Sequence, residues 1–147
     1  KYLDGNVAEA PFDSSCGLFA AVTEAVSGYN RYMERMEFSK AIGAFWPAVQ
    51  SANRFIEEKA PWALAKDETK RGELEAVFSE LLAVLRTAGT ALFPFMPGKM
   101  QDMLGQLGAG EPSLDQLPPS VSGAEGLTAP EPLFPRIQEK PEDIFKD

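Results

Sequence analysis

The sequence predicts an all-α protein: an antiparallel bundle of about four helices followed by an extended, proline-rich C-terminal segment. Three observations carry this prediction. Apolar residues recur at spacings of three and four through 14–107, the pattern of helices with one buried face. Residues 108–147 hold 7 of the 12 prolines and 4 of the 12 glycines, which bars a long helix or a regular sheet there. The chain has 147 residues and is 44% hydrophobic and 10% aromatic. That is the length of one ordinary domain, with enough apolar side chains for a core. Helices joined by short connections, each with a single apolar stripe, bury those stripes against one another.

The elements follow in order within one domain, 1–147. Residues 1–13 (KYLDGNVAEAPFD) carry turn formers and no helical period, and read as a leading segment. The first helix is expected over roughly 14–36, with Asp13 as its N-cap and Leu18, Val22, Val26, Tyr29, Met33 and Met36 as its stripe. The second is expected over roughly 38–58, with Phe38, Ile42, Phe45, Val49, Ala52 and Ile56 on one face. Pro47 inside it predicts a kink, since proline removes one intrahelical bond. Pro61 ends it. The third helix is expected over roughly 70–91, capped near Asp67 or Thr69, with Leu74, Val77, Phe78, Leu81, Leu85, Ala88 and Leu92 inward. A shorter helix over about 97–107 starts at Pro97, suited to a first turn. It turns Met100, Met103, Leu104 and Leu107 to one side. Residues 14–107 thus form the bundle. Residues 108–147 form an acidic strap, pinned by Leu133, Phe134 and Ile137 and by Ile144 with Phe145.

Composition excludes several classes of chemistry. Zero His rules out a Ser-His-Asp triad, a Cys-His pair and His-ligated metal. A single Cys rules out a disulfide framework and a Cys-based zinc site. No metal or catalytic residue is therefore expected. No run of 18 apolar residues and no basic-then-apolar leader is present, so no membrane partner and a cytoplasmic location are expected. The acidity is uneven: 8 acids and 3 bases in 108–147, 14 acids and 11 bases in 1–107. A mildly acidic body disfavours non-specific nucleic-acid binding, and no DNA partner is expected.

The remaining candidates are few. Glu57/Glu58 and Glu73/Glu75 read as solvated helix faces. Cys16 sits near a helix N-terminus but lacks a base, and reads as a packing residue. Gly105, Gly108 and Gly110 follow no strand, so they read as turn chemistry rather than a phosphate loop. Met96, Met100 and Met103 read as core filler or as an adaptable contact face. One place differs. Past the helix end at Pro61 stands Trp62, off the apolar period of both flanking helices, with Lys59 and Lys66 nearby. An indole there is either a platform for an unstacked base or a tryptophan buried between helices.

The string NRFIEEKAPWALAKD resembles the helix-end signature of class I aminoacyl-tRNA synthetases, in the helical domain that binds the anticodon. KYLDGNVAEAP, ALFPFMPGKMQDMLGQLG and PLFPRI resemble bacterial methionyl-tRNA synthetases, in the expected order across nearly the whole chain. The resemblance implies an enzyme that joins methionine to its tRNA through an adenylate, using ATP with Mg. The nucleotide-binding domain that does this has no counterpart here. Lys99-Met100 is followed by Gln-Asp-Met and is not the KMSKS loop, and the zinc knuckle is absent. The resemblance therefore implies a C-terminal piece that binds no cofactor and is inactive alone, with the catalytic domain and the tRNA for methionine as partners.

Trp62 takes the position of the family's anticodon-stacking tryptophan. Its Asn and Arg partners would precede residue 1. Arg54, Lys59, Lys66 and Lys70 are candidate phosphate contacts beside their reading as solvated charges. Arg31, Glu34 and Arg35 read as surface pairs, and Asn53 as a partner of the helix-end turn. Two alternatives stand: the helical domain of a leucine, isoleucine or valine enzyme of the same class, or an all-α protein-interaction domain with a Met-rich face and a Pro-rich tail.

Overall fold

The computed structural model describes residues 3–118, 121–127 and 129–135. Helix α1 (Gly17–Glu34) buries Leu18, Val22, Ala25, Val26 and Tyr29, as the spacing predicts. Its ends differ from expectation. Cys16 occupies the N-cap position. Asp13 instead accepts from the N–H and Oγ–H of Ser15, at 2.8 and 2.7 Å, in a turn just before the helix. Met36 adopts a left-handed φ of 57° and stands exposed beyond the helix.

The predicted second helix is two helices, α2 (Phe38–Gly43) and α3 (Trp46–Lys59). The helix breaks before Pro47 instead of kinking at it. Pro47 lies in the first turn of α3, where a missing N–H has no intrahelical partner to lose. The break rotates the expected stripe. Ala41, Phe45 and Ala48 are the buried residues, while Phe38 and Ile42 face outward. Phe45 meets Tyr29 edge-on at 5.7 Å, and Phe38 meets Phe95 at 6.0 Å.

A single turn, α4 (Pro61–Leu64), and a 3₁₀ turn (Glu68–Lys70) lead to α5 (Arg71–Leu92). The Asp67 carboxylate caps the 3₁₀ turn, accepting from the N–H and Oγ–H of Thr69. Helix α5 is the central element, packed against α1, α3, α4, α6 and both strands. Leu74, Val77, Leu82, Ala83, Val84, Ala88 and Ala91 are buried along it, and Leu85 points to solvent against expectation. Helix α6 (Pro97–Gln106) buries Met100 and Leu104. Gly89 of α5 allows this approach, since a Cβ there would lie 3.1 Å from Leu104 Cδ2.

Two short strands were not foreseen. β1 (Val7–Pro11) pairs antiparallel with β2 (Val121–Ala124), with Val7 opposite Ala124 and Pro11 opposite Val121. At Gly123 a Cβ would meet Glu9 Cα at 2.5 Å, so the close approach requires glycine. The Leu127 N–H donates to the Gly5 carbonyl at 2.8 Å. The leading segment and the strap thus clamp each other, and Leu3, Val7 and Ala124 form a second core with Leu74 and Leu82. Further along the strap, the Gln106 side chain exchanges hydrogen bonds with the Glu131 backbone at 3.1 and 3.2 Å. Leu133 is half-buried, but Phe134, expected to pin the strap, is largely exposed. Ile137, Ile144 and Phe145 lie outside the described residues.

Candidate nucleic-acid interface

Local backbone chemistry places Trp62. Helix α3 ends at Lys59, and Ala60 turns the chain with φ 44° and ψ 61°, a left-handed conformation. The Ala60 N–H still donates to Ile56 O at 3.0 Å, and the Ala63 N–H donates to Ala60 O at 2.7 Å. Pro61 is buried and opens α4 with its fixed φ. The next side chain, Trp62, is projected off the bundle and is 49% exposed. Of the two readings left open by its sequence context, a fully buried inter-helix tryptophan is excluded. The indole has an anchored backbone and a solvent-facing side.

The surrounding cations are distributed unevenly. Lys66 and Lys70 are exposed on the connection between α4 and α5. The Lys59 ammonium lies 5.7 Å from the Phe55 ring centre, a cation–π contact on its own helix. Arg54 is exposed one turn before it. Arg54 and Lys59 border a shared groove, while Lys66 and Lys70 stand outside its lining. Asn53 is exposed on α3, away from the helix-end turn it was expected to hold.

That groove is the feature the sequence reading missed. It encloses about 1020 Å³ between the N-terminus of α1, α3 and α5. Its floor includes Glu80, which is 8% exposed. The Glu80 Oε1 accepts from the Asp13 backbone N–H at 2.9 Å. Its Oε2 has no hydrogen-bond partner among the described residues. Burial pushes the Glu80 carboxyl above the usual carboxylate range, opposed by the Asp13 hydrogen bond. Cys16 lies against it, its thiol pushed up first by burial. A signal for Glu80 existed: it falls three residues after Val77 and four before Val84, on the buried face of α5.

The other candidates settle as structure. Glu57, Glu58 and Glu73 are exposed, and Glu75 pairs with Arg71 at 3.1 Å. Gly108 makes a turn with φ 62° just past α6, while Gly105 lies within the helix. Met100 is core and Met96 is exposed. A second indole, Trp46, is 66% exposed at the start of α3, and neither period nor motif had singled it out. Among the described residues, no group of three or more His, Cys, Asp or Glu is placed to hold a metal ion. No helix there is long and apolar enough to cross a membrane.

Comparison with known proteins gives this geometry a family. A model of the anticodon-binding domain of methionyl tRNA ligase matches residues 8–147. The methionine–tRNA ligase of Enterococcus faecalis is 37% identical over 150 residues, covering 94% of this chain and 22% of that protein. The Bacillus subtilis ligase is 34% identical, covering 99% of this chain and 23% of that protein. The chain therefore spans under a quarter of the length of these relatives. The fold matches that of Mycobacterium tuberculosis methionyl-tRNA synthetase in complex with methionyl-adenylate. The TM-score is 0.76 at 24% identity, covering 92% of this chain and 28% of that one. By sequence and by fold, the chain belongs to the anticodon-binding domain family of methionyl-tRNA ligases.

Proposed function

We propose that this chain reads the anticodon of the methionine tRNA within a longer methionine–tRNA ligase, with Trp62 as the surface on which an anticodon base stacks. The observation that carries the reading is the half-open indole, held past a buried proline, in a chain whose residues 8–147 match this family. An anticodon is a single-stranded loop, the form of RNA whose bases are free to stack on aromatic rings. Each such contact contributes about 1–3 kcal/mol. Lys66 and Lys70, on the connection that follows Trp62, serve as phosphate contacts, with Arg54 and Lys59 further back along α3.

The charge pattern limits what this domain contributes alone. With 22 acids against 14 bases, the chain gains little from counterion release on binding tRNA. It discriminates among anticodons, while most of the binding free energy comes from the rest of the ligase. ATP and Mg belong to that remaining part, as does the transfer of methionine, and the ligase works in the cytoplasm.

The test is Trp62→Ala in the complete ligase. Charging efficiency, as kcat/KM for methionine tRNA, falls by about 5- to 150-fold, the equivalent of one lost stacking contact. Trp62→Phe recovers part of it. The melting temperature of the 147-residue chain barely moves in either variant. Unchanged charging by Trp62→Ala, or an equal loss on tRNAs with other anticodons, overturns the reading. A preference for leucine, isoleucine or valine tRNA in a binding panel would transfer the function within the class. A chain with no spectral change near Trp62 on adding an anticodon stem-loop is an interaction domain instead.

A further inference from the structure

Asp67 is bonded in two directions. Its N–H donates to the Leu64 carbonyl of α4 at 3.1 Å, and its own carbonyl accepts from the Lys70 N–H at 3.0 Å. Its Oδ1 accepts from the N–H and Oγ–H of Thr69 at 3.0 and 2.6 Å. Between α4 and the 3₁₀ turn its backbone is extended, with φ −123° and ψ 107°. The residue therefore parts two helical stretches whose composition favours merging. Ala63, Leu64, Ala65 and Lys66 stand before it and Glu68, Lys70 and Arg71 after it, all good helix formers. A capping side chain keeps its own residue out of the helical conformation while it satisfies a free N–H.

The separation matters because of what α4 carries. Helix α4 has four residues, too few to hold a direction unaided. Leu64 and Ala65 rest against the second core with Leu74 and Leu82. One end of the turn is fixed at Ala60 and Pro61, and the other is Asp67. The carboxylate is costly at this place. Hydrogen bonds from Thr69 hold it below the usual Asp range, so it is ionised at neutral pH. It stands in sequence between Lys66 and Lys70, where a negative charge opposes an approaching phosphate. Its charge does not account for its presence, whereas its acceptor oxygen does.

We propose that Asp67 is a positioning residue for anticodon reading: as the cap that keeps α4 apart from α5, it fixes the direction of the Trp62 indole. It acts through its acceptor geometry and not through its charge. Its effect on charging rests on the anticodon reading, while its hold on the indole is measured without RNA.

The chain has two tryptophans, so Trp46→Phe leaves Trp62 as the sole indole. Time-resolved fluorescence anisotropy of the 147-residue chain then reports its motion. Asp67→Ala speeds the anisotropy decay, because residues 65–68 join α5 and the indole loses its fixed seat. Asp67→Asn keeps the wild-type decay, since Asn caps as well as Asp. Asp67→Glu retains the charge but not the cap geometry, and follows Ala. In the complete ligase, Asp67→Ala and Asp67→Glu lower kcat/KM for methionine tRNA by about three- to tenfold, the scale of one lost cap. Asp67→Asn restores it. In a Trp62→Ala background, Asp67→Ala lowers charging no further, as a residue acting through the indole requires.

An anisotropy decay unchanged by Asp67→Ala overturns the proposal. An Asp67→Asn variant that charges as poorly as Asp67→Ala assigns the effect to charge and overturns it too. So does a full further loss from Asp67→Ala in the Trp62→Ala background, which routes the effect past the indole. Trp62→Ala with undiminished charging defeats the anticodon reading instead, and the anisotropy still decides whether Asp67 holds the indole.

Discussion

Arg86 reaches from the middle of α5 to close the C-terminal end of α6. Its Nη2 donates to the Leu107 carbonyl at 2.7 Å and to the Gly108 carbonyl at 3.1 Å. The last carbonyls of a helix lack intrahelical partners and carry its negative dipole end, so a cation there is favoured twice. The left-handed φ of Gly108 turns the chain at this point. Burial holds the guanidinium somewhat below its usual range, which leaves it charged at neutral pH.

Removing that cap loosens α6 from α5. Arg86→Ala costs about 2 kcal/mol of stability, the scale of hydrogen bonds to a charged group. Arg86→Lys recovers only part, because an ammonium lacks the planar fork. Urea melts of the chain measure both.

Tyr29 is a residue whose polar atom the fold does not use. It is 2% exposed, and its hydroxyl has no partner among the described residues. Burial alone raises its pKa. Tyr29→Phe keeps the edge-on contact with Phe45 and removes a desolvated hydroxyl. The chain gains about 1 kcal/mol, against the usual direction of core substitutions. Thermal melts show the gain as a higher Tm.

How much of this was legible in the sequence follows from the range of each interaction. The stripe of α1 through Tyr29 and the start of α6 at Pro97 depend on neighbours three and four apart, and periodicity reveals them. The ribbon depends on Val7 meeting Ala124, a pairing more than a hundred residues long. Its strands carry Pro11 and Gly123 with no clear alternation, so no local signal marks them. Pro47 was visible, but proline fits a kink and a first turn equally well, and no local signal decides between them. At the site, sequence placed Trp62 after a helix end. It could not show which way the indole faces, since that depends on Ala60 entering a conformation rare for alanine. Glu80 escaped notice because a carboxylate on an apolar face looks like any other until its neighbours close over it.

Glu80 gives the chain a pH signature. Its carboxyl is raised in the folded state, chiefly by burial. The folded chain therefore holds that proton more tightly than the unfolded chain. Its ionisation opposes folding above the raised value, and the penalty is relieved as pH falls through it. Asp13 and Asp67 behave oppositely: hydrogen bonds from Ser15 and Thr69 lower them. Their contribution is present above the ordinary Asp range and is lost as pH falls through their lowered values. Urea midpoints should hold steady or rise from neutral pH toward the upper edge of the carboxylate range, then fall under more acid conditions. Glu80→Gln keeps an acceptor for the Asp13 N–H. It raises the midpoint at neutral pH and removes the first part of this profile.

Ala60 sets the direction of Trp62 at a cost in strain. A left-handed conformation costs a residue with a Cβ about 1–2 kcal/mol. Glycine avoids that cost but gives up about 0.5–1 kcal/mol through the freedom of its unfolded chain. Ala60→Gly therefore stabilises the chain by roughly 0.5–1 kcal/mol on balance. It leaves charging by the complete ligase near the wild-type rate, because buried Pro61 still fixes where α4 begins. Ala60→Val is the discriminating partner. A β-branched residue resists this backbone conformation more strongly, so the turn opens and the indole shifts. Stability and charging then fall together. Were Ala60→Val to lose stability while charging stayed whole, the position of Trp62 would not depend on this turn.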